Sequence, residues 1–139
     1  MNSVLMDASA FVALFNPVEA NHASYAKKVA ACVKNKQRLL STWSCVTEAS
    51  YLLSPRSHFS MLAWLADGAV DVHNFETSDL PEFLEAMQRY SEPQKTIMDL
   101  ADASLYWLAC KMDCTSIMTE DRRDFLCYRL PDGRAFEIL

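Results

Sequence analysis

The sequence predicts an α/β fold, a mostly parallel sheet of about five strands with helices on both faces. Three observations carry that expectation. Short apolar runs of strand length recur at residues 3–6, 38–41, 69–75, 115–119 and 135–139. Between them, apolar residues return at spacings of three and four, as they do on the buried face of a helix. Strands that alternate with helices in this way form parallel sheets, because each crossover helix packs back onto a sheet face. At 139 residues the chain suffices for a single domain over residues 1–139 and falls short of two ordinary ones.

The N-terminal run Ser3-Val4-Leu5-Met6 is continuously apolar from Val4 onward, as suits a central strand covered on both faces. Asp7 follows it at once, and open α/β sheets place their sites at that carboxyl end of a strand. Ser9 is positioned to cap a short helix over residues 10–15, which Asn16-Pro17 ends. A second helix is expected over residues 22–35, with Tyr25, Val29, Cys32 and Val33 inward. After the strand at 38–41, a helix over residues 45–53 buries Val46, Ala49 and Leu53 and carries Glu48 near the edge of that face.

Ser54-Pro55-Arg56-Ser57 reads as a turn into a helix over residues 58–67, which Gly68 closes. That helix is apolar nearly all round, which suits a partner as well as the core. Ser78-Asp79-Leu80-Pro81-Glu82 starts the next helix, and a polar loop at 91–97 leads to the stretch Met-Asp-Leu-Ala-Asp-Ala-Ser-Leu at 98–105. Here Leu100, Leu105 and Leu108 are expected inward with Ala101, Ala103 and Ala109 between them. Asp99 and Asp102 lie three apart at the start of this helix, on one side of its first turn. Asp99 alone reads equally well as a cap. Asp121 then follows the strand at 115–119.

Composition narrows the function classes. Only Gly68 and Gly133 are glycines, so neither a Walker loop nor a Gly-x-Gly-x-x-Gly dinucleotide loop is present. The net charge is -5, from 18 acids against 13 lysines and arginines, which argues against a protein that coats nucleic acid non-specifically. No apolar run reaches the roughly 18–20 residues that a membrane span requires. Five cysteines in no framework spacing, and no secretory leader, point to a reducing cytoplasm; Cys110 and Cys114 lack the companions of a zinc site.

What remains is the acids. Asp7 and Asp121 at strand ends and Asp99 and Asp102 at a helix start can all meet at the carboxyl edge of the sheet. Two carboxylates about 5 Å apart repel by roughly 3 kcal/mol at an effective dielectric near 20, so a cluster requires protons or cations. Oxygen ligands select hard cations such as Mg²⁺ or Mn²⁺, which also bind phosphate oxygens. The reaction class that fits is metal-dependent phosphodiester hydrolysis. Ser9 and Thr119 could orient the carboxylates, and Arg122 and Arg123 could hold substrate phosphates. Contacts to a phosphodiester substrate on an acidic chain would fall to Arg56, Lys95, Arg122, Arg123 and Arg129.

Met-Asp-Ala-Ser at 6–9, Thr-Glu-Ala at 47–49, Met-Asp-Leu-Ala-Asp-Ala-Ser-Leu at 98–105 and Thr-Glu-Asp-Arg-Arg-Asp-Phe at 119–125, with Tyr-Arg at 128–129, together resemble the PIN-domain ribonucleases. Within them the VapC-type toxins of toxin–antitoxin pairs are the most similar group. The resemblance implies a PIN-like domain with a five-stranded parallel sheet, Mg²⁺ or Mn²⁺, and cleavage of structured RNA such as transfer RNA. It places the family's four acids on Asp7, Glu48, Asp102 and Asp121, with Asp99 an additional acid for the metal. It also implies a homodimer and a small VapB-type antitoxin that lays a peptide across the cleft. Glu120 and the loop at 90–97 depart from the family's usual pattern. The competing readings are a non-toxin PIN-domain RNA-processing nuclease, an inactive PIN-like binding module, and a phosphoryl-accepting aspartate enzyme. The last of these would want Asp-x-Asp where the chain has Asp7-Ala8-Ser9.

Overall fold

The computed structural model describes residues 2–92 and 96–139. Its centre is β1 (Ser3–Met6), where Val4, Leu5 and Met6 are wholly buried. This strand pairs in parallel with β2 (Arg38–Thr42), Leu5 opposite Leu40, and with β6 (Ser116–Met118), Leu5 opposite Ile117. Beyond β2 lies β3 (Asp71–His73), and beyond β6 lies β7 (Glu137–Ile138), again parallel. The order β3-β2-β1-β6-β7 is thus an all-parallel, five-stranded sheet, as the alternation of elements predicts.

The crossovers are α1 (Ala8–Phe15), α2 (His22–Lys34), α3 (Trp43–Leu52), α4 (Pro55–Ala66), α5 (Leu80–Arg89), α6 (Leu100–Met112) and α7 (Arg122–Cys127). They cover both faces of the sheet. The most deeply set is α6, in which every residue from Asp102 to Ala109 is buried. It packs on β2, α3 and α5, and its alanines let neighbours approach while Leu105 and Leu108 fill the core. A helix apolar all round belongs in such an interior.

Several local expectations need correction. The first helix begins at Ala8, two residues early, because Asp7 and not Ser9 caps it: the Asp7 carboxylate accepts the Ala8 N–H at 2.8 Å. The turn at 54–57 is the first turn of α4, with Ser54 accepting the Ser57 N–H and Pro55 at the first helical position, where its missing N–H costs nothing. Leu100 is 45% exposed, because at the start of α6 it lines an open groove with Trp43 and Phe75 instead of facing the core. Val33 is 67% exposed, because the buried stripe of α2 runs through Tyr25 and Cys32, seven residues apart, and the next residue lies about 100° further round. The segment at 91–97 contains a small antiparallel pairing, β4 (Ser91–Glu92) with β5 (Thr96–Ile97). Lys95 lies outside the described residues.

Candidate metal centre

Because β1 and β6 are adjacent and parallel, they end side by side at the carboxyl edge of the sheet. Asp7 follows the first directly, and Asp121 follows the second with two residues between. The first turn of α6 arrives at the same edge with Asp102. Asp7, Asp102 and Asp121 each present an oxygen, and all three atoms lie within 4.8 Å of one another. Among the described residues this is the cluster of acid, histidine or cysteine ligands able to hold a metal ion. Asp7 and Asp102 are buried, at 2% and 6% exposure, whereas Asp121 opens to solvent.

Hydroxyl groups hold the Asp7 carboxylate. Thr119 donates to its Oδ2 at 2.8 Å and Ser9 donates to the same oxygen at 3.0 Å, while Oδ1 takes the Ala8 N–H. The hydroxyls are in turn fixed by the chain after β6. Thr119 Oγ1 accepts the Asp121 N–H and Ser9 Oγ accepts the Glu120 N–H, both at 2.9 Å. One network therefore sets the Asp7 rotamer and the path of the backbone to Asp121. Ser9 and Thr119 are the two hydroxyls singled out in the sequence, and both bond the Asp7 carboxylate.

Asp102 is held from the opposite side by a residue to which the sequence assigned no role. The buried Tyr128 hydroxyl donates to its Oδ2 at 2.8 Å. Tyr128 sits just past α7, wedged against Tyr90 and Phe125 with ring centroids 5.1 Å away in each case. Only the Tyr-Arg pair after the last acidic motif marks it in the sequence. A second clasp braces α6 from below: Ser104 donates to the Ala101 carbonyl at 2.6 Å, so Thr42 must donate to Ser104 across 2.7 Å. Thr42 Oγ1 also accepts the Cys45 N–H, which ties the start of α3 to α6.

Gathering these acids without a cation raises their proton affinity. Burial is the largest cause at Asp102, with the Asp99 and Asp7 charges next; together they push its carboxyl up to about 8, against the opposing Tyr128 bond. Asp121 is pushed up to about 6 by burial and then by Asp7. Burial also raises Asp7, despite the hydroxyl bonds that favour its charged form.

Glu48 and Asp99 stand outside the group of three. Asp99 is the cap of α6, its Oδ1 accepting the Asp102 N–H at 2.8 Å, and its charge raises Asp102, Asp121 and Glu48. Glu48 is exposed on α3, and its carboxyl is raised by partial burial, then by Asp99 and Asp121. Arg122 reaches the Leu139 carbonyl at 3.4 Å beside the end of β7, and Arg123 is exposed. A more enclosed cavity of about 390 Å³ lies between α5 and α6, lined by Phe83, Tyr106 and Trp107 rather than by the clustered acids.

The five-stranded, all-parallel sheet with its helices α1 to α7 is a PIN-like fold. Two solved structures show the likeness: VapC20 of Mycobacterium tuberculosis, a toxin that cleaves the sarcin-ricin loop, and VapBC2 of Rickettsia felis, determined on a DNA fragment from its promoter. The first aligns with a TM-score of 0.68 at 17% identity over 82% of this chain and 86% of that one. The second aligns with a TM-score of 0.69 at 16% identity over 99% and 98%. No family model matches the sequence, nor does any curated protein. Among the described residues no helix is long and apolar enough to cross a membrane.

Proposed function

We propose that this chain is a divalent-metal-dependent endoribonuclease, the toxin component of a VapBC-type pair. The convergence of Asp7, Asp102 and Asp121 carries the reading, since three carboxylates with raised proton affinity form a site that is short of positive charge. The donor set consists of oxygen atoms, which fits Mg²⁺ or Mn²⁺ and not zinc. Those three acids would hold the ion, with Glu48 and Asp99 adding negative charge at its rim. A bound Mg²⁺ or Mn²⁺ supplies charge neutralisation for a phosphodiester entering an acidic pocket.

The chain's own residues do the remaining work. Ser9 and Thr119 keep the Asp7 carboxylate in one rotamer, and Tyr128 does the same for Asp102, so the ligand oxygens face a common point before any ion arrives. Asp99 fixes the first turn of α6 by capping it. Glu48, whose proton affinity is raised by partial burial and then by Asp99 and Asp121, is suited to accept a proton from the attacking water. Arg122 and Arg123 would supply phosphate contacts. The same reading expects a structured RNA substrate such as transfer RNA, a homodimer, a small antitoxin and a cytoplasmic setting. The likeness in fold to VapC20 and VapBC2 supports it.

The test is RNA cleavage by the purified chain with Mg²⁺ or Mn²⁺, compared with EDTA. Asp7→Asn and Asp102→Asn are each expected to lose at least about a hundredfold in rate. Undiminished cleavage by either variant, or equal cleavage in EDTA, overturns the mechanism. Growth arrest on expression, relieved by Asp7→Asn, is the expected mark of a toxin; its absence from active enzyme would favour an RNA-processing nuclease.

A further inference from the structure

On the β2–β3 side of the acids runs an open groove of about 540 Å³ between the starts of α3 and α6 and the residues after β3. Trp43, Phe75 and Leu100 form its apolar walls, Asn74 supplies an amide, and Glu48 and Asp99 form the margin shared with the acidic cluster. Trp43 is 47% exposed and Leu100 45%, so two large apolar groups at the mouth of the site are turned partly to water. No lysine or arginine is among its described lining residues.

The opposite side of the cluster holds cations beside one acid, Glu120, which accepts from the Tyr25 hydroxyl under Lys28. Near the end of β7, Lys28 and Arg122 both reach the Leu139 carbonyl, at 3.1 and 3.4 Å. The sheet order β3-β2-β1-β6-β7 places these cations and the groove on opposite sides of β1 and β6, whose ends carry Asp7 and Asp121. A phosphate is repelled by a groove whose charged groups are carboxylates, and it is attracted towards Arg122 and Lys28. A planar, uncharged group carrying hydrogen-bonding edges is what an exposed indole beside an amide accepts.

We infer that the Trp43 groove is a nucleobase subsite: it stacks one unpaired base of the strand at the acids, and the adjoining phosphates pass towards Arg122 and Lys28. The inference rests on the nuclease reading and adds to it the orientation of the strand and the need for an unpaired base. Stacking on an aromatic face tolerates different bases, and Asn74 is the side chain that would discriminate among their edges.

The experiment measures binding of a short single-stranded RNA to the full chain by fluorescence anisotropy, with Ca²⁺ replacing Mg²⁺ to hold off cleavage. Trp43→Ala is expected to bind about 5- to 150-fold more weakly, and Trp43→Phe within roughly threefold of the parent. Both variants should bind Mn²⁺ as the parent does by calorimetry, which separates loss of the subsite from collapse of the site. A single abasic nucleotide moved along the RNA should weaken binding to the parent at one position and have no such effect on Trp43→Ala. Unchanged RNA binding by Trp43→Ala, or an abasic scan indifferent to Trp43, overturns the subsite and leaves the nuclease reading standing. If Trp43→Ala instead keeps RNA binding and loses affinity for an arginine-rich peptide, the groove belongs to a protein partner and the inference fails. A parent that binds no RNA defeats both readings.

Discussion

Replacing Asp102 with asparagine is expected to make the metal-free protein more stable while it removes a metal ligand. Burial, Asp99 and Asp7 push the Asp102 carboxyl up to about 8 in the folded chain, whereas an unfolded aspartate titrates near about 3.9. Between those values the folded state keeps a proton that the unfolded chain has given up. Its stabilising contribution is therefore complete below about pH 4 and is lost progressively as the pH rises towards about 8. At pH 7 the loss amounts to about 4 kcal/mol as an upper limit, from about three pKa units at 1.36 kcal/mol each. Rearrangement of the neighbouring acids and entry of water bring a realistic figure nearer about 2 kcal/mol. Asparagine avoids that loss: its amide oxygen still accepts from Tyr128, and its N–H₂ offers a donor near the carboxylates of Asp7 and Asp121. For a chain of 139 residues the gain corresponds to a rise in Tm of about 6 °C. The assay is thermal unfolding followed by circular dichroism in EDTA from pH 5 to 9. The parent's Tm should fall across that range, and the variant's should fall less, chiefly below about pH 6 where Asp121 still titrates. Added Mg²⁺ should restore the parent by about 2.7 kcal/mol at a hundredfold excess over Kd and leave the variant almost unmoved. A variant that melts at or below the parent throughout, or a parent Tm indifferent to pH in EDTA, refutes the account of the site as a store of repulsion.

Tyr128→Phe removes the hydroxyl that holds Asp102 and is expected to weaken Mn²⁺ binding about tenfold or more, read by calorimetry, with folding intact. Thr119→Val keeps the shape and removes both the donor to Asp7 and the acceptor for the Asp121 N–H. It should cost about 1–3 kcal/mol in denaturant unfolding and a comparable loss in metal affinity. Leu108→Ala, at a wholly buried position of α6, should cost about 2–5 kcal/mol in urea unfolding. Cleavage per folded molecule should survive that last change, because Leu108 touches the core and not the acids.

Much of the architecture was legible because the chain's strong signals are local. The apolar runs of β1 and β2 and the proline and early acid at the start of α5 each state their structure within a few residues. Asp7 and Asp121 were legible for the same reason, since a parallel sheet fixes where a residue following a strand must lie. Positions that depend on three dimensions were harder. Nothing near Leu100 in the sequence says that it lines a groove with Trp43 and Phe75 instead of facing the core. Tyr128 meets Asp102 across 26 residues, and Ser104 meets Thr42 across 62, through packing that no periodicity encodes. Asp99 could be read as ligand or cap; its bond to the Asp102 N–H shows a cap whose charge is felt by three other acids.

The seating of β1 between β2 and β6 has a consequence for biosynthesis. Of the five strands of this sheet β1 is synthesised before the others, and it obtains its second neighbour only when residues 116–118 emerge; Asp7 waits equally long for Thr119 across 112 positions of chain. A nascent chain stalled before that point exposes an unpaired strand edge and has no assembled acidic centre. Assembly of the acidic centre is thereby withheld until synthesis has passed Asp121.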